Sequence, residues 1–219
     1  MAIFRSLLTF IEKTLKGPEQ DLYRWQILQS RVRERLFPFQ TGHSPFRPAQ
    51  LLRTYCQLLR NKGLPGPILD LASGDCHNAI FLARLGLQLI ACDRSEHALA
   101  KGRRLAAEAG VTIETWQVDL EQREVKPLPE DAYGAIMVFY YLHRPLIPSI
   151  RSALRQGGIL IYETYTVDQP RFGRPHNPDY LLKPGELRQC FEDWEVLYAF
   201  EGIKHDPERA VAQIVCRKV

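Results

Sequence analysis

The stretch Ile68-Leu69-Asp70-Leu71-Ala72-Ser73-Gly74-Asp75-Cys76-His77-Asn78 constrains the fold more than any other part of this 219-residue chain. A short apolar run gives way to small residues and then to a helical pattern, which reads as a strand turning tightly into a helix. In an open parallel sheet, ligands bind beyond the carboxyl ends of the strands, and small residues there let a ligand approach the backbone. Asp93 closes the next apolar run, 23 residues after Asp70. A carboxylate at that place can accept both hydroxyls of a ribose, so the pair points to a ligand that contains adenosine.

The turn decides which adenosine cofactor fits. Nicotinamide and flavin folds place G-x-G-x-x-G there so that a pyrophosphate rests on a helix N-terminus, whereas this chain has Ala72, Gly74 and His77. Only Gly74 matches, and Asp70 and Asp75 would crowd an anionic pyrophosphate. The same carboxylates suit a cofactor with an amino group and a sulfonium charge, so S-adenosylmethionine is the better match.

From Pro67 onward strands alternate with helices, the pattern of an α/β fold with a doubly wound, mostly parallel sheet. Strands are expected at PILDLAS, LQLIACD, VTIETWQVD, AYGAIMVFYY and GGILIYETY. Helices are expected over residues 77–85, from Ser95 as N-cap to Gly110, over Arg144–Arg155 and over Pro184–Phe191. Trp194–Ile203 and Ala210–Lys218 read as a closing hairpin around KHDPER. Ahead of this body, residues 1–63 read as an N-terminal helical extension that packs on or caps a domain of residues 64–219. Its first helix carries Phe4, Leu7, Leu8, Ile11 and Leu15 on one stripe, its second Leu22, Trp25, Leu28, Val32 and Leu36, and its third runs from Pro48 to Lys62.

The extension holds the positive charge, with a net +6 over residues 1–60 against −2 for the remainder. No RNP, zinc-finger or Gly-Arg pattern accompanies it, so a solvated helical face is the expectation, with nucleic acid a disfavoured but open partner. Five cysteines with no C-x-x-C pair suggest neither a disulfide framework nor a zinc site, which suits a reducing cytoplasm. No apolar run reaches the roughly 18 to 20 residues of a membrane span, and Arg5, Glu12, Lys13 and Lys16 interrupt the N-terminal stretch, so neither a span nor a secretory leader is expected.

ILDLASGDCHNAIFLARLGLQLIACDRSEHALAKGRRLA resembles the first two motifs of the class I S-adenosylmethionine-dependent methyltransferases, a Rossmann-like family. The likeness continues through VDLE at 118–121, VFYYLHRPLIPSIRSALRQGGILIYETYTV and the closing pair of strands, over residues 67–219. Within the family the chain is most similar to the small bacterial enzymes of the tellurite-resistance and thiopurine-like type, and FGRPHNPDYLLKPGEL is typical of one branch. The resemblance implies a seven-stranded sheet with its last strand antiparallel. It implies that Asp70 organises the turn and receives the methionyl amino group directly or through water, while the backbone of Ala72, Ser73 and Gly74 lies against the cofactor. Asp93 would take the ribose hydroxyls, Arg94 or Ser95 would border the adenine, and Asp119 with Leu120 would meet it. Phe139 and Tyr140 would border the methionyl part and the methyl group. Ala72 and Cys76 stand where the family most often has its first and third glycines.

Each carboxylate also has a structural alternative, Asp70 as a helix cap and Asp93 as an exposed strand end. On the acceptor side, His143 follows the fourth strand, where a base would be useful or where it would cap the next helix. Glu163 and Tyr165 end the fifth strand on the ligand side. Residues 169–182 form a loop too long for a simple connection, and its Arg171, Arg174, His176 and Asn177 could hold an anionic or oxygen-rich acceptor, or pair with the body instead. Methyl transfer from a sulfonium is an in-line displacement that needs no metal. A soft nucleophile reacts without a base, whereas a hydroxyl would need His143, Glu163 or a tyrosine such as Tyr141 to take its proton. The Asn/Asp-Pro-Pro-Tyr/Phe signature of amino-group methylases is missing after strand four. A small-molecule acceptor (a thiol, a chalcogen oxyanion or similar) is therefore expected first, RNA or protein bound by the basic helices second, and a non-catalytic cofactor-binding protein third.

Overall fold

The computed structural model describes residues 47–60, 63–122 and 128–219. The first two helices expected in the N-terminal extension lie outside the described residues. The third is α1 (Gln50–Leu59), whose N-cap position is Ala49. Pro48 thus precedes the cap instead of occupying the first turn, and the backbone N–H of Ala49 donates to the side chain of Asn78 at 2.9 Å. The remaining elements follow in the order β1 (Ile68–Leu71), α2 (His77–Ala83), β2 (Leu89–Asp93), α3 (Glu96–Glu108), β3 (Glu114–Gln117), β4 (Tyr133–Phe139), α4 (Ile147–Ala153), β5 (Leu154–Tyr165), α5 (Glu186–Gln189), β6 (Glu195–His205) and β7 (Glu208–Arg217).

The seven strands form one sheet in the order β3-β2-β1-β4-β5-β7-β6. β1 to β5 run parallel, and β7, the last in sequence, runs antiparallel to both β5 and β6. Strand periodicity explains why the sheet is covered on both sides. Leu69, Leu71, Ile136, Val138, Leu160 and Tyr162 point into one apolar layer with Ile150 and Ala153 of α4 and with Leu187, Phe191 and Trp194. Ile68, Ala91, Ala135, Met137, Phe139 and Ile161 point into the other, which α1, α2 and α3 fill with Leu52, Cys56, Leu59, Ile80, Leu82 and Leu99. Ser95 caps α3 as its type suggests, accepting the backbone N–H of Ala98 at 3.2 Å.

Other elements also differ from the sequence reading, among them the helix expected over Pro184–Phe191, which is the single turn α5 (Glu186–Gln189). The helix expected over Arg144–Arg155 is a 3-10 turn over Arg144–Leu146 followed by α4, and Leu154 and Arg155 already belong to β5. Pro145 and Pro148 each lack a backbone donor at the N-terminal ends of these two pieces, where none is needed. β3 is four residues long, shorter than the apolar alternation of VTIETWQVD suggests, because among the described residues it is an edge strand paired with β2 alone. The hairpin of β6 and β7 is longer than expected and closes at Asp206-Pro207.

Candidate functional site

The turn after β1 is built around two carboxylates. Asp93, at the end of β2, accepts the backbone N–H of Gly74 on Oδ2 at 2.8 Å and that of Ser95 on Oδ1 at 2.9 Å. Each oxygen keeps a lone pair for a further donor. Asp70 lies deeper, 1% exposed, and its Oδ2 accepts the N–H of Ala79 in the first turn of α2 at 3.1 Å. Burial, helped by the charge of Asp93 and opposed by the Ala79 N–H, raises the Asp70 carboxyl from 3.8 to about 7.

The chain departs from glycine at this turn, but its backbone does not. Ala72 has φ +55°, Gly74 +54° and Cys76 +63°, all left-handed. Such a conformation costs a residue with a β-carbon about 1–2 kcal/mol. Across from Cys76, α3 carries Gly102, where an added β-carbon would lie 2.5 Å from the Cys76 sulfur. Helix α3 thus supplies the room that a glycine at position 76 would otherwise have left. The Cys76 thiol is fully buried, and burial pushes it up to about 12, so it is a packing group and not a nucleophile.

A cleft of about 440 Å³ opens over the carboxyl ends of the strands. It spans the boundary between β1 and β4, where the strand order reverses, the place at which open α/β sheets bind ligands. One end is lined by Asp93 and Arg94 after β2 and by Val118, Asp119, Leu120 and Glu121 after β3. Ala72 lies between the two ends in sheet order, and the other end is lined by Tyr140, Tyr141, Tyr165, Tyr180, Arg174 and Pro175. The hydroxyl of Tyr141 is buried in the cleft wall close to the carboxylates of Glu121 and Asp119. Two half-satisfied Asp93 oxygens and a small residue at position 72 match the polar groups of an adenosyl ligand.

The loop after β5 is anchored at several points. The guanidinium of Arg144 makes a two-point ion pair with Glu186, with Nε to Oε1 at 2.6 Å and Nη2 to Oε2 at 3.0 Å, and also donates to the carbonyls of Asp179 at 2.8 Å and Leu181 at 2.7 Å. Buried Gln169 joins the loop to β7, accepting the Ala210 N–H at 2.9 Å and donating to the Arg174 carbonyl at 3.1 Å. Hydrogen bonding to Arg144 holds the Glu186 carboxyl below its ordinary value.

Of the residues singled out from the sequence, Ala72, Asp93, Arg94, Asp119, Leu120, Tyr140, Tyr141, Tyr165 and Arg174 meet in the cleft. Ser73 and Gly74 sit in the turn behind it, Phe139 is in the core, and Asp70 is beneath, capping α2. His143 heads the 3-10 turn through its backbone carbonyl, which accepts the Leu146 N–H at 2.9 Å, and does not line the cleft. Glu163 is buried behind Tyr140. Arg171 is exposed and lies 3.7 Å from Asp168, His176 is exposed outside the cleft, and Asn177 accepts the Asp179 N–H at 3.0 Å. Sequence reasoning missed Tyr180, Glu121 and the anchoring roles of Arg144 and Gln169. Local pattern carries no signal for contacts that span 35 to 42 residues.

This fold and this cleft are similar to those of class I S-adenosylmethionine-dependent methyltransferase domains. Residues 68–158 match the family of methyltransferase domains. The chain is similar to a Haemophilus influenzae protein described as a probable S-adenosyl-L-methionine-dependent methyltransferase, TehB, at 25% identity over 61% of this chain and 47% of the relative. It is also similar to a protein of Eikenella corrodens named Hemagglutinin 1, at 30% identity over 64% of this chain and 47% of the relative. The chain therefore spans less than half the length of the curated relatives it matches. The crystal structure of TehB from Haemophilus influenzae superposes with a TM-score of 0.63 at 18% identity, covering 84% of this chain and 66% of that one, which shows a common fold.

Proposed function

We propose that this protein transfers a methyl group from S-adenosylmethionine to a small-molecule acceptor that enters the cleft over the ends of β4 and β5. The observation that carries this reading is the division of the cleft into an acidic end at β2 and β3 and a tyrosine-lined end at β4 and β5. When bound, the cofactor supplies a methyl group on a sulfonium, activated for in-line displacement.

The residues then have separate tasks. Asp93 uses its free lone pairs for the ribose hydroxyls, and Asp119 and Leu120 border the adenine. The backbone of Ala72, Ser73 and Gly74 flanks the methionyl arm. Asp70 keeps the turn in shape from below through α2. Tyr140, Tyr141 and Tyr165 wall the acceptor side, and Arg174 adds a positive charge at its edge. Burial raises all three tyrosine hydroxyls above their ordinary value, so they serve as hydrogen-bond donors and not as phenolate bases at neutral pH. With His143 and Glu163 both away from the cleft, the arrangement favours an acceptor that arrives already nucleophilic, such as a thiolate or a chalcogen oxyanion.

Calorimetric titration with S-adenosylmethionine and S-adenosylhomocysteine, followed by a radiolabelled-methyl screen over thiols, chalcogen oxyanions, small hydroxyl compounds and RNA, tests the reading. Saturable binding and label on a thiol or oxyanion are expected. No binding of either cofactor form, or label appearing only on RNA, would overturn it.

A further inference from the structure

Glu163 is 0% exposed at the end of β5 and still carries a hydrogen-bond network that reaches the cleft. Its Oε1 accepts the hydroxyl of Tyr140 at 2.9 Å, and its Oε2 accepts the side-chain amide of Gln213 on the neighbouring β7. Gln213 in turn accepts the Tyr198 hydroxyl at 3.2 Å. Two cations flanking the turn of the β6–β7 hairpin face the carboxylate, Arg209 with Nε at 3.7 Å and Lys204 with Nζ at 3.9 Å. The Arg209 guanidinium also lies 5.9 Å from the centre of the Tyr140 ring. Tyr140 itself leaves β4 with φ +57°, stacks on Tyr165 at 5.2 Å between ring centres and remains 42% exposed in the cleft wall.

Two of these features are costly in a way that packing alone does not require. A left-handed aromatic residue and a buried, paired carboxylate are each less stable than an ordinary strand end closed by apolar side chains. Both costs converge on one ring that lines the cleft. From that convergence we infer that Glu163 is a positioning residue for the acceptor side, acting through Tyr140, with Lys204 and Arg209 of the β6–β7 hairpin as its counter-charges. Because the Tyr140 hydroxyl is held by Glu163, the ring cannot swing about its Cα–Cβ bond into or out of the cleft, and the width of the cleft at the acceptor end is set by the hairpin. The inference rests on the proposed reading of the cleft as a methyltransfer site and adds a determinant of its acceptor half.

The test uses the full chain labelled with carbon-13 at the tyrosine ζ position and saturated with S-adenosylhomocysteine. The Tyr140 resonance is identified by its loss in Tyr140→Phe. In the unsubstituted protein it should be a single line whose position is independent of pH between neutral and the titration of Lys204, Tyr165 and Tyr198, the other titrating groups around the network. In Glu163→Leu, and in the isosteric Glu163→Gln should the leucine variant fail to fold, the line should shift and broaden or split, while affinity for S-adenosylhomocysteine stays within about twofold. With 4-nitrothiophenolate as acceptor, the same variants should lower kcat/KM about tenfold through KM for the thiolate, and adding Tyr140→Phe should lower it no further. An unchanged Tyr140 line in both Glu163 variants would overturn the inference with the cofactor reading intact, whereas failure of the unsubstituted protein to bind S-adenosylhomocysteine would overturn that reading instead.

Discussion

Cys76 and Gly102 provide a test of how the turn tolerates a side chain where its backbone is glycine-like. An alanine at 102 gains about 1 kcal/mol of helix propensity within α3. Its β-carbon would stand 2.5 Å from the Cys76 sulfur and 3.0 Å from the Cys76 β-carbon, and Cys76 is fully buried, so neither group can move aside cheaply. Overpacking of that kind costs about 1–3 kcal/mol, so Gly102→Ala is expected to destabilise by up to about 2 kcal/mol net. Cys76→Gly relieves the left-handed strain but empties a packed site, for a net loss of about 1 kcal/mol. In the double variant the nearest remaining neighbour of the new methyl is the Asp75 carbonyl at 3.3 Å, which needs only a small adjustment. There Gly102→Ala should stabilise by about 1 kcal/mol, giving a favourable coupling of about 1–3 kcal/mol. Urea melts followed by tryptophan fluorescence measure all four corners of the cycle. Effects that add to within about 0.5 kcal/mol would refute the claim that α3 accommodates Cys76.

Three further outcomes are expected. Asp93→Ala should weaken S-adenosylhomocysteine binding by about 1–3 kcal/mol in calorimetry, the scale of charge-assisted hydrogen bonds, and unchanged affinity would remove the ribose assignment. Asp70 holds its proton up to about pH 7 when folded but releases it near 3.8 when unfolded, so the folded state binds more protons in that window and stability falls as pH rises through it. Asp70→Asn, which keeps an acceptor for Ala79, should abolish this slope and be more stable than the parent at pH 8 in chemical melts, so parallel curves for the two proteins would count against the buried-carboxylate account. Arg144→Ala removes the anchor on the Asp179 and Leu181 carbonyls and should raise amide hydrogen exchange across residues 177–182 while exchange in β1 and β4 is unchanged.

The parts of the fold that could be read from the sequence are those fixed by local pattern. Apolar runs of Ile, Leu and Val bounded by small residues located β1, β2, β4 and β5, and Ser95 announced the start of α3. The spacing of Asp70 and Asp93 placed one carboxylate at the cleft and one beneath it, but the spacing alone does not distinguish the two depths. That distinction comes from strand parity, since Asp70 shares its face with Ile68 and is covered by α2. Glu163 illustrates the same difficulty. Its position at a strand end on the ligand side is legible, whereas its direction, away from the cleft and toward Gln213 and Arg209, depends on a hairpin roughly 40 to 50 residues later in the chain. His143 drew attention as an ionisable group in the right neighbourhood, yet two prolines turn the chain there into a 3-10 segment that directs its backbone and not its ring to a structural task.

The two ends of the cleft follow from how a parallel sheet distributes its strand ends. On the β2–β3 side each strand is short and at or near the edge, so its final residues are solvated and can carry Asp93, Asp119 and Glu121 without a burial cost. On the β4–β5 side the strands are central and covered on both faces, so a residue ending there must bring apolar area with it, and tyrosine does so while keeping one polar atom. The long antiparallel hairpin beyond β5 then supplies what the central strands cannot, two cations close to a buried carboxylate. On the proposed reading, cofactor affinity and acceptor selectivity belong to opposite halves of the sheet, with Ala72 of the β1 turn lining the cleft between them. Substitutions on one half should leave the other largely undisturbed, because the tips of β2 and β5 are separated by those of β1 and β4.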